Sequence, residues 1–308
     1  MKRIVISFIL LFSLFIVTSC SFNNDKNDKM SIVATNFPCY DFARAITKDS
    51  DSVDVSMLLK PGSEIHDFEP TPQDIKMIKQ SDMFIYIGGE SDSWVNNILK
   101  EVDTSKTKVI KLMDYVDTLN EEVVEGMEAD EEGDVDEHIW TSPVNVINII
   151  NKLEIDISNM DSVNAKVYKN NSDEYIQELI DVDQQIRDIV NNSKRKELIF
   201  GDRFPFRYLT NEYGIKYYAA FPGCAEASEA SAKTISFLIN KVKEDKIPVV
   251  LKLELSSGKI ADNIAKETNT KVLVLHSAHN VSAEDYESGI TYVDIMKDNI
   301  EVLKEALN

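Results

Sequence analysis

From Asp161 to Val190 the chain runs for about thirty residues without a glycine or a proline. Val163, Val167, Tyr175, Leu179, Val182, Ile186 and Ile189/Val190 recur through it at steps of three and four residues, which places them on one helical face. A helix of that length extends roughly 45 Å, more than a crossover between neighbouring strands requires. It is expected to act as a spine joining two lobes.

On both sides of the spine, short apolar runs alternate with helical patterns, the signature of α/β units with parallel sheets. Ahead of it, strands are predicted at Ser31–Thr35, Val53–Leu58, Met83–Ile87 and Lys108–Lys111. Thr71, Pro72 and Asp74 form a capping-box start for a helix running to Lys79, and Ser142-Pro143 opens another in the same way. Beyond the spine, strands are predicted at Glu197–Phe200, Ile215–Ala219, Val249–Leu253 and Lys271–Leu275, with a final helix at Asp285–Leu307. The expected organisation is an N-terminal lobe over 31–157, a connecting helix over 158–192 and a C-terminal lobe over 193–308.

The N-terminus reads as a targeting segment. Lys2 and Arg3 precede the apolar run Ile4–Val17, which is short for a membrane span but suits a secretory signal over residues 1–19. Val17-Thr18-Ser19-Cys20 resembles the lipobox of bacterial lipoproteins, which implies cleavage before Cys20 and a lipid on its sulfur. Residues 20–30, rich in Asn, Asp and Lys, are expected to be a solvated tether. The expected location is therefore extracytoplasmic, anchored by lipid to the cell membrane. With 33 basic against 53 acidic residues, a net charge of −20 argues against nucleic acid or an anionic surface as partner. Much of that charge sits in Glu121–Glu137, which carries no Lys or Arg and is expected to be a mobile, solvated loop. It reads either as a surface insertion or as a weak cation funnel ahead of His138.

The chain has 4 histidines, none of them on an apolar helix face. His66 lies in the proline-rich stretch Pro61–Pro72, and His138 follows the acidic loop in Asp136-Glu137-His138-Ile139-Trp140. His276 and His279 follow directly on the strand ending at Leu275, the end at which open α/β sheets collect ligands. Imidazole clusters select Zn²⁺, Cu²⁺ or Ni²⁺ over Ca²⁺ and Mg²⁺. By residue type alone, a shared metal site and scattered surface histidines both stand.

Two motifs separate these readings. Pro61–Asp74 resembles the proline-rich histidine motif of the zinc/manganese ABC-transporter solute-binding family, and Asp136–Pro143 (DEHIWTSP) resembles its Asp-x-His-x-Trp-x-x-Pro motif. Tyr168, Asn170 and Leu179 look like its connecting helix, and Tyr292, Met296, Asn299 and Leu303 like its closing helix. The resemblance covers essentially the whole mature chain. It implies two α/β lobes, each with a four-stranded parallel sheet and flanking helices, joined by one rigid helix with a metal in the cleft. It implies His66 and His138 as ligands, and an ABC permease with its ATPase as partners. The chain itself is expected to work as a monomer.

Two positions depart from the family pattern. His276 stands where the family has a carboxylate, and Arg203, counted back from Phe206 and Tyr208, stands at its third-ligand position. A guanidinium cannot coordinate a metal, so the neighbouring Asp202 is expected to supply an oxygen, with Arg203 orienting it. The expected ligand set is His66, His138, His276 and Asp202, with His279 and Cys224 as further possible donors. Glu229, matching a Glu-Pro-Ser element of the family, is expected to cap a helix or orient a ligand. Three nitrogens and one oxygen suit tetrahedral Zn²⁺, while Mn²⁺, the alternative, prefers more oxygens. Cys39 and Cys224 read as buried inert thiols, as an interlobe disulfide or, least of all, as soft ligands. The expected function is capture of the ion and its delivery to the permease, without catalysis. The alternatives are an exported zinc hydrolase, for which no His-Glu-x-x-His is present, and a surface adhesin on the same scaffold.

Overall fold

The computed structural model describes residues 29–64, 68–128, 134–223 and 230–308. His66, Cys224, Glu229 and Cys20, each given a role above, lie outside these residues.

Strands β1 (Met30–Ala34), β2 (Val53–Met57), β3 (Met83–Tyr86) and β4 (Lys108–Lys111) form the N-terminal sheet in the order β2-β1-β3-β4. Strands β5 (Glu197–Phe204), β6 (Lys216–Pro222), β7 (Val249–Lys252) and β8 (Lys271–Val274) repeat that order as β6-β5-β7-β8. Every pairing is parallel, so each chain reversal runs through a covering helix, and the inner strands β1, β3, β5 and β7 are mostly buried while the edge strands are more exposed. The predicted strands fall on these eight within a few residues at either end. The largest difference is in β5, which continues to Phe204 through a register shift between Phe200 and Arg203. Gly201 sits in that irregularity because a Cβ there would lie 2.4 Å from the Cα of Ala261.

The connecting helix spans Ala165–Asn192, 28 residues or about 42 Å. It starts later than Asp161 because that side chain closes the preceding turn, accepting from Asn164 Nδ2 (2.8 Å) and Tyr168 OH (2.6 Å). Its buried face carries Tyr168, Ser172, Tyr175, Leu179, Val182, Ile186 and Val190, and one continuous core runs along it from lobe to lobe. The buried Asp41 ties the lobes at this helix. It accepts hydrogen bonds from Tyr175 OH (2.9 Å), Arg44 Nη2 (2.5 Å) and the Tyr292 amide (2.8 Å).

Two expectations change. The predicted final helix is two helices, Ala283–Ser288 and Tyr292–Ala306. Gly289, at φ +79°, ends the first, and Thr291 with Asp294 forms a capping box that starts the second. The acidic segment is not a free loop along its arms. Glu121 N donates to Asp134 O, Asp136 N donates to Leu119 O, and Ser231 Oγ donates to Glu128 across the lobes. Met127 is buried and Val123 and Val124 are partly so, which outweighs the local charge. Among the described residues no helix is long and apolar enough to cross a membrane.

Candidate metal centre

His138 is fully buried at the entry to the short 3-10 turn Ile139–Thr141. Asp136 Oδ1 accepts from its amide at 2.8 Å and lies 3.0 Å from its Nδ1. That contact assigns the proton to Nδ1 and leaves the Nε2 lone pair outward. Nε2 is buried and has no hydrogen-bond partner among the described residues, so the ring is oriented as a ligand would be. Burial pulls the His138 imidazole toward neutrality, but Asp136, with Glu137 and Glu121 beyond it, outweighs burial and raises its pKa.

His279 reaches the same place from the other lobe. Its ring centroid lies 4.5 Å from that of His138, edge to face, and 4.9 Å from Trp140. One donor atom each from Glu137, His138 and His279 falls within 4.8 Å of the other two, and this is the only such group among the described residues. Glu137 is buried and held by Ser91, whose amide donates at 2.9 Å and whose hydroxyl also donates to it. Gly89 makes room, since a Cβ there would lie 2.1 Å from Glu137 Cβ.

His276 faces elsewhere. Asn299 clasps its backbone, accepting from the amide and donating to the carbonyl at 2.8 Å each. Its Nδ1 accepts from the Ala278 amide at 3.0 Å and sits 3.5 Å from Glu254 Oε1. The turn after β8 passes through Ala278 at φ +59°, and this reversal carries His279 rather than His276 to His138. Asp202 accepts from the amides of Arg203 (2.9 Å) and Leu253 (3.2 Å), closing the β5 irregularity on the cleft wall. Arg203 Nη1 lies 3.7 Å from Glu64 across the cleft. Thus the structure brings together His138, His279 and Glu137, and leaves His276 and Asp202 bonded to neighbouring backbone. Cys39 is a free thiol buried in the N-terminal core, pushed up in pKa by burial, with Thr35 Oγ1 donating to it at 3.8 Å. Glu137 was passed over in the sequence because it sits in an acidic run that makes every carboxylate look alike.

The loop leading to His66 is stitched to the loop after His279. Asn280 Nδ2 donates to Lys60 O and Ser63 O at 2.8 Å each, and Gly62 N donates to Val281 O at 2.7 Å. Trp140 completes the frame by donating from Nε1 to Ser277 O at 2.8 Å.

Asp92 lies behind the centre, accepting from the amides of Ile87 (2.8 Å) and Gly88 (3.0 Å). Burial pushes its carboxyl up to about 7, with Glu137 adding to the effect and the Gly88 amide opposing it. Folding therefore takes up a proton here, and wild-type stability loses ground as pH rises from about 4 to about 7. Asp92→Asn keeps an oxygen for both amides. Urea denaturation of the metal-free proteins should show the variant gaining on wild type across that window; a pH-independent difference would contradict it.

Two parallel α/β lobes, one long helix between them and a two-histidine, one-carboxylate group in the cleft define a two-lobed solute-binding protein with a candidate metal site. The chain belongs to the family described as zinc-uptake complex component A, periplasmic, whose model matches residues 32–306. The high-affinity zinc uptake system protein ZnuA of Bacillus subtilis is 32% identical over 92% of this chain and 89% of its own length. The zinc-binding lipoprotein AdcA of Streptococcus pneumoniae is 29% identical over 99% of this chain, which spans 61% of that longer relative. Among solved structures, the metal-dependent lipoprotein YcdH of Bacillus subtilis superposes with a TM-score of 0.79 at 32% identity, covering 91% of this chain and 100% of its own. The Zn(II)-bound ZnuA-like domain of Streptococcus pneumoniae AdcA gives 0.76 at 27% identity, covering 91% and 99%.

Proposed function

We propose that this protein is the extracytoplasmic solute-binding component of an ABC importer for Zn²⁺, anchored through lipid on Cys20, passing the ion to a permease driven by its ATPase. The buried, unpartnered Nε2 of His138, facing a second imidazole from the opposite lobe, is the observation that carries this reading. Imidazole nitrogen with carboxylate oxygen suits zinc, and the order of divalent affinities favours it over Mn²⁺ at such a site. We assign His138 and His279 as ligands, with His66 from the stitched loop and Glu137 beside them. His276 and Asp202 are assigned to holding the turn and the strand irregularity that frame the site. Support for lipid attachment comes from Val17-Thr18-Ser19-Cys20 and from relatives named as lipoproteins. The ion is cargo and no bond of a substrate is broken, so the role is carriage without catalysis.

Titrating the metal-free, full-length chain in detergent with zinc against a chromophoric chelator tests this. One zinc per chain, held more tightly than manganese and seen intact by native mass spectrometry, is the expected result. A chain that retains no zinc would remove the reading.

A further inference from the structure

The cleft is larger than its proposed cargo. It encloses about 590 Å³, within the roughly 300–1,000 Å³ of pockets that hold small organic molecules. One water takes about 30 Å³ of liquid, so an ion with a single water would leave most of this space unused. The cavity runs from His279 at the metal centre to Arg203 and Lys259, along an apolar wall that includes Phe221, Leu253 and Ile260.

We propose that the cleft takes zinc together with a small carboxylate chelator, whose carboxylate Arg203 grips while its remaining donors complete the metal's coordination. This rests on the zinc reading above. Arg203 presents a planar fork of N–H donors suited to carboxylate. Its ion-pair partner among the described residues, Glu64, stands 3.7 Å away with a side chain 46% exposed, beyond hydrogen-bond reach. The acidic neighbours do not compete for the fork. Asp202 is engaged by two backbone amides, and Glu254 by the amide and hydroxyl of Ser277 at 2.8 and 2.6 Å. Arg203 and Lys259 are the two cations of a lining whose carboxylates are Glu64, Asp202 and Glu254, so an anion's place is at the Arg203 fork and not along the whole wall. The apolar wall favours an anion with a carbon skeleton over phosphate. On the metal side Glu137 is already engaged by Ser91, so an incoming oxygen or nitrogen would take the remaining position beside the imidazoles of His138, His279 and the proposed His66.

The test measures zinc affinity of the full-length chain in detergent alone, with L-histidine and with citrate, each corrected for zinc that the probe binds in solution. Wild type should bind zinc about tenfold more tightly with one of these probes present. Native mass spectrometry should then show chain plus one zinc plus one probe. Arg203→Met should abolish the gain. Arg203→Lys, which keeps the charge but not the fork, should reduce it and serves if the Met variant does not fold. No gain with either probe in wild type, or an equal gain in the Arg203 variants, overturns the proposal while leaving zinc binding intact. Absence of zinc binding in every mixture is a separate result, which removes the zinc reading and this proposal with it.

Discussion

Replacing His279 with alanine will weaken zinc binding on the order of 100-fold or more, while His276→Ala will change it by less than about tenfold. The two residues are three apart, and the sequence favoured the first. The difference lies in the turn after β8, where Ala278 adopts φ +59° and reverses the chain. His279 thereby meets His138 at 4.5 Å between ring centroids, whereas His276 is clasped through its backbone by Asn299. A backbone clasp survives truncation of the side chain, so His276→Ala keeps the turn. Losing a direct ligand should exceed the roughly 10–100-fold that outer partners of a metal site cost when removed. Competition titration of both variants beside wild type measures this; equal losses would return His276 to the ligand set.

Trp140→Ala will cost about 3–5 kcal/mol of stability in the metal-free protein. Trp140 is fully buried, and its indole donates to Ser277 O, which would be left unpaired. Both His138 and His279 pack on this ring, at 5.5 and 4.9 Å, so the same change should loosen the metal centre. Trp140→Phe keeps an aromatic surface but loses the donor, and should cost about 1–3 kcal/mol. Denaturant midpoints of the three proteins without metal check the order. A Trp140→Ala protein as stable as Trp140→Phe would show that the cavity collapses freely.

The architecture was readable because periodicity and punctuation agree along this chain. The glycine-free run at 161–190 marks the spine, and short apolar segments mark the strands, most plainly the inner ones such as β3, because parallel strands buried on both faces leave a continuous signal. Gly289 and Thr291 carry a local stop and start that a 3.6-residue count over 285–307 runs straight across. The acidic segment misled because charge dominates its composition, while Val123, Val124 and Met127 decide where its arms lie. At the metal centre, His138 was legible from its motif. That His279 and not His276 lies against His138 was not, since this placement depends on one left-handed residue that is an alanine, without the glycine that usually announces such a turn. Glu137 depends on Ser91 and Gly89, some 46 residues earlier in the chain, a pairing that only the folded sheet creates.

The three hydrogen bonds between the Asn280–Val281 loop and residues 60–63 bear on time as well as place. The two lobes share one core along a 28-residue helix, so swinging them apart would disrupt that shared packing. The stitch is small, lies at loop level and can part without disturbing either sheet. Any opening that lets an ion leave is therefore expected to begin at those few bonds, and their lifetime would then set how long the ion stays. A docking partner that competes for Asn280 could shorten that dwell time without touching a single ligand.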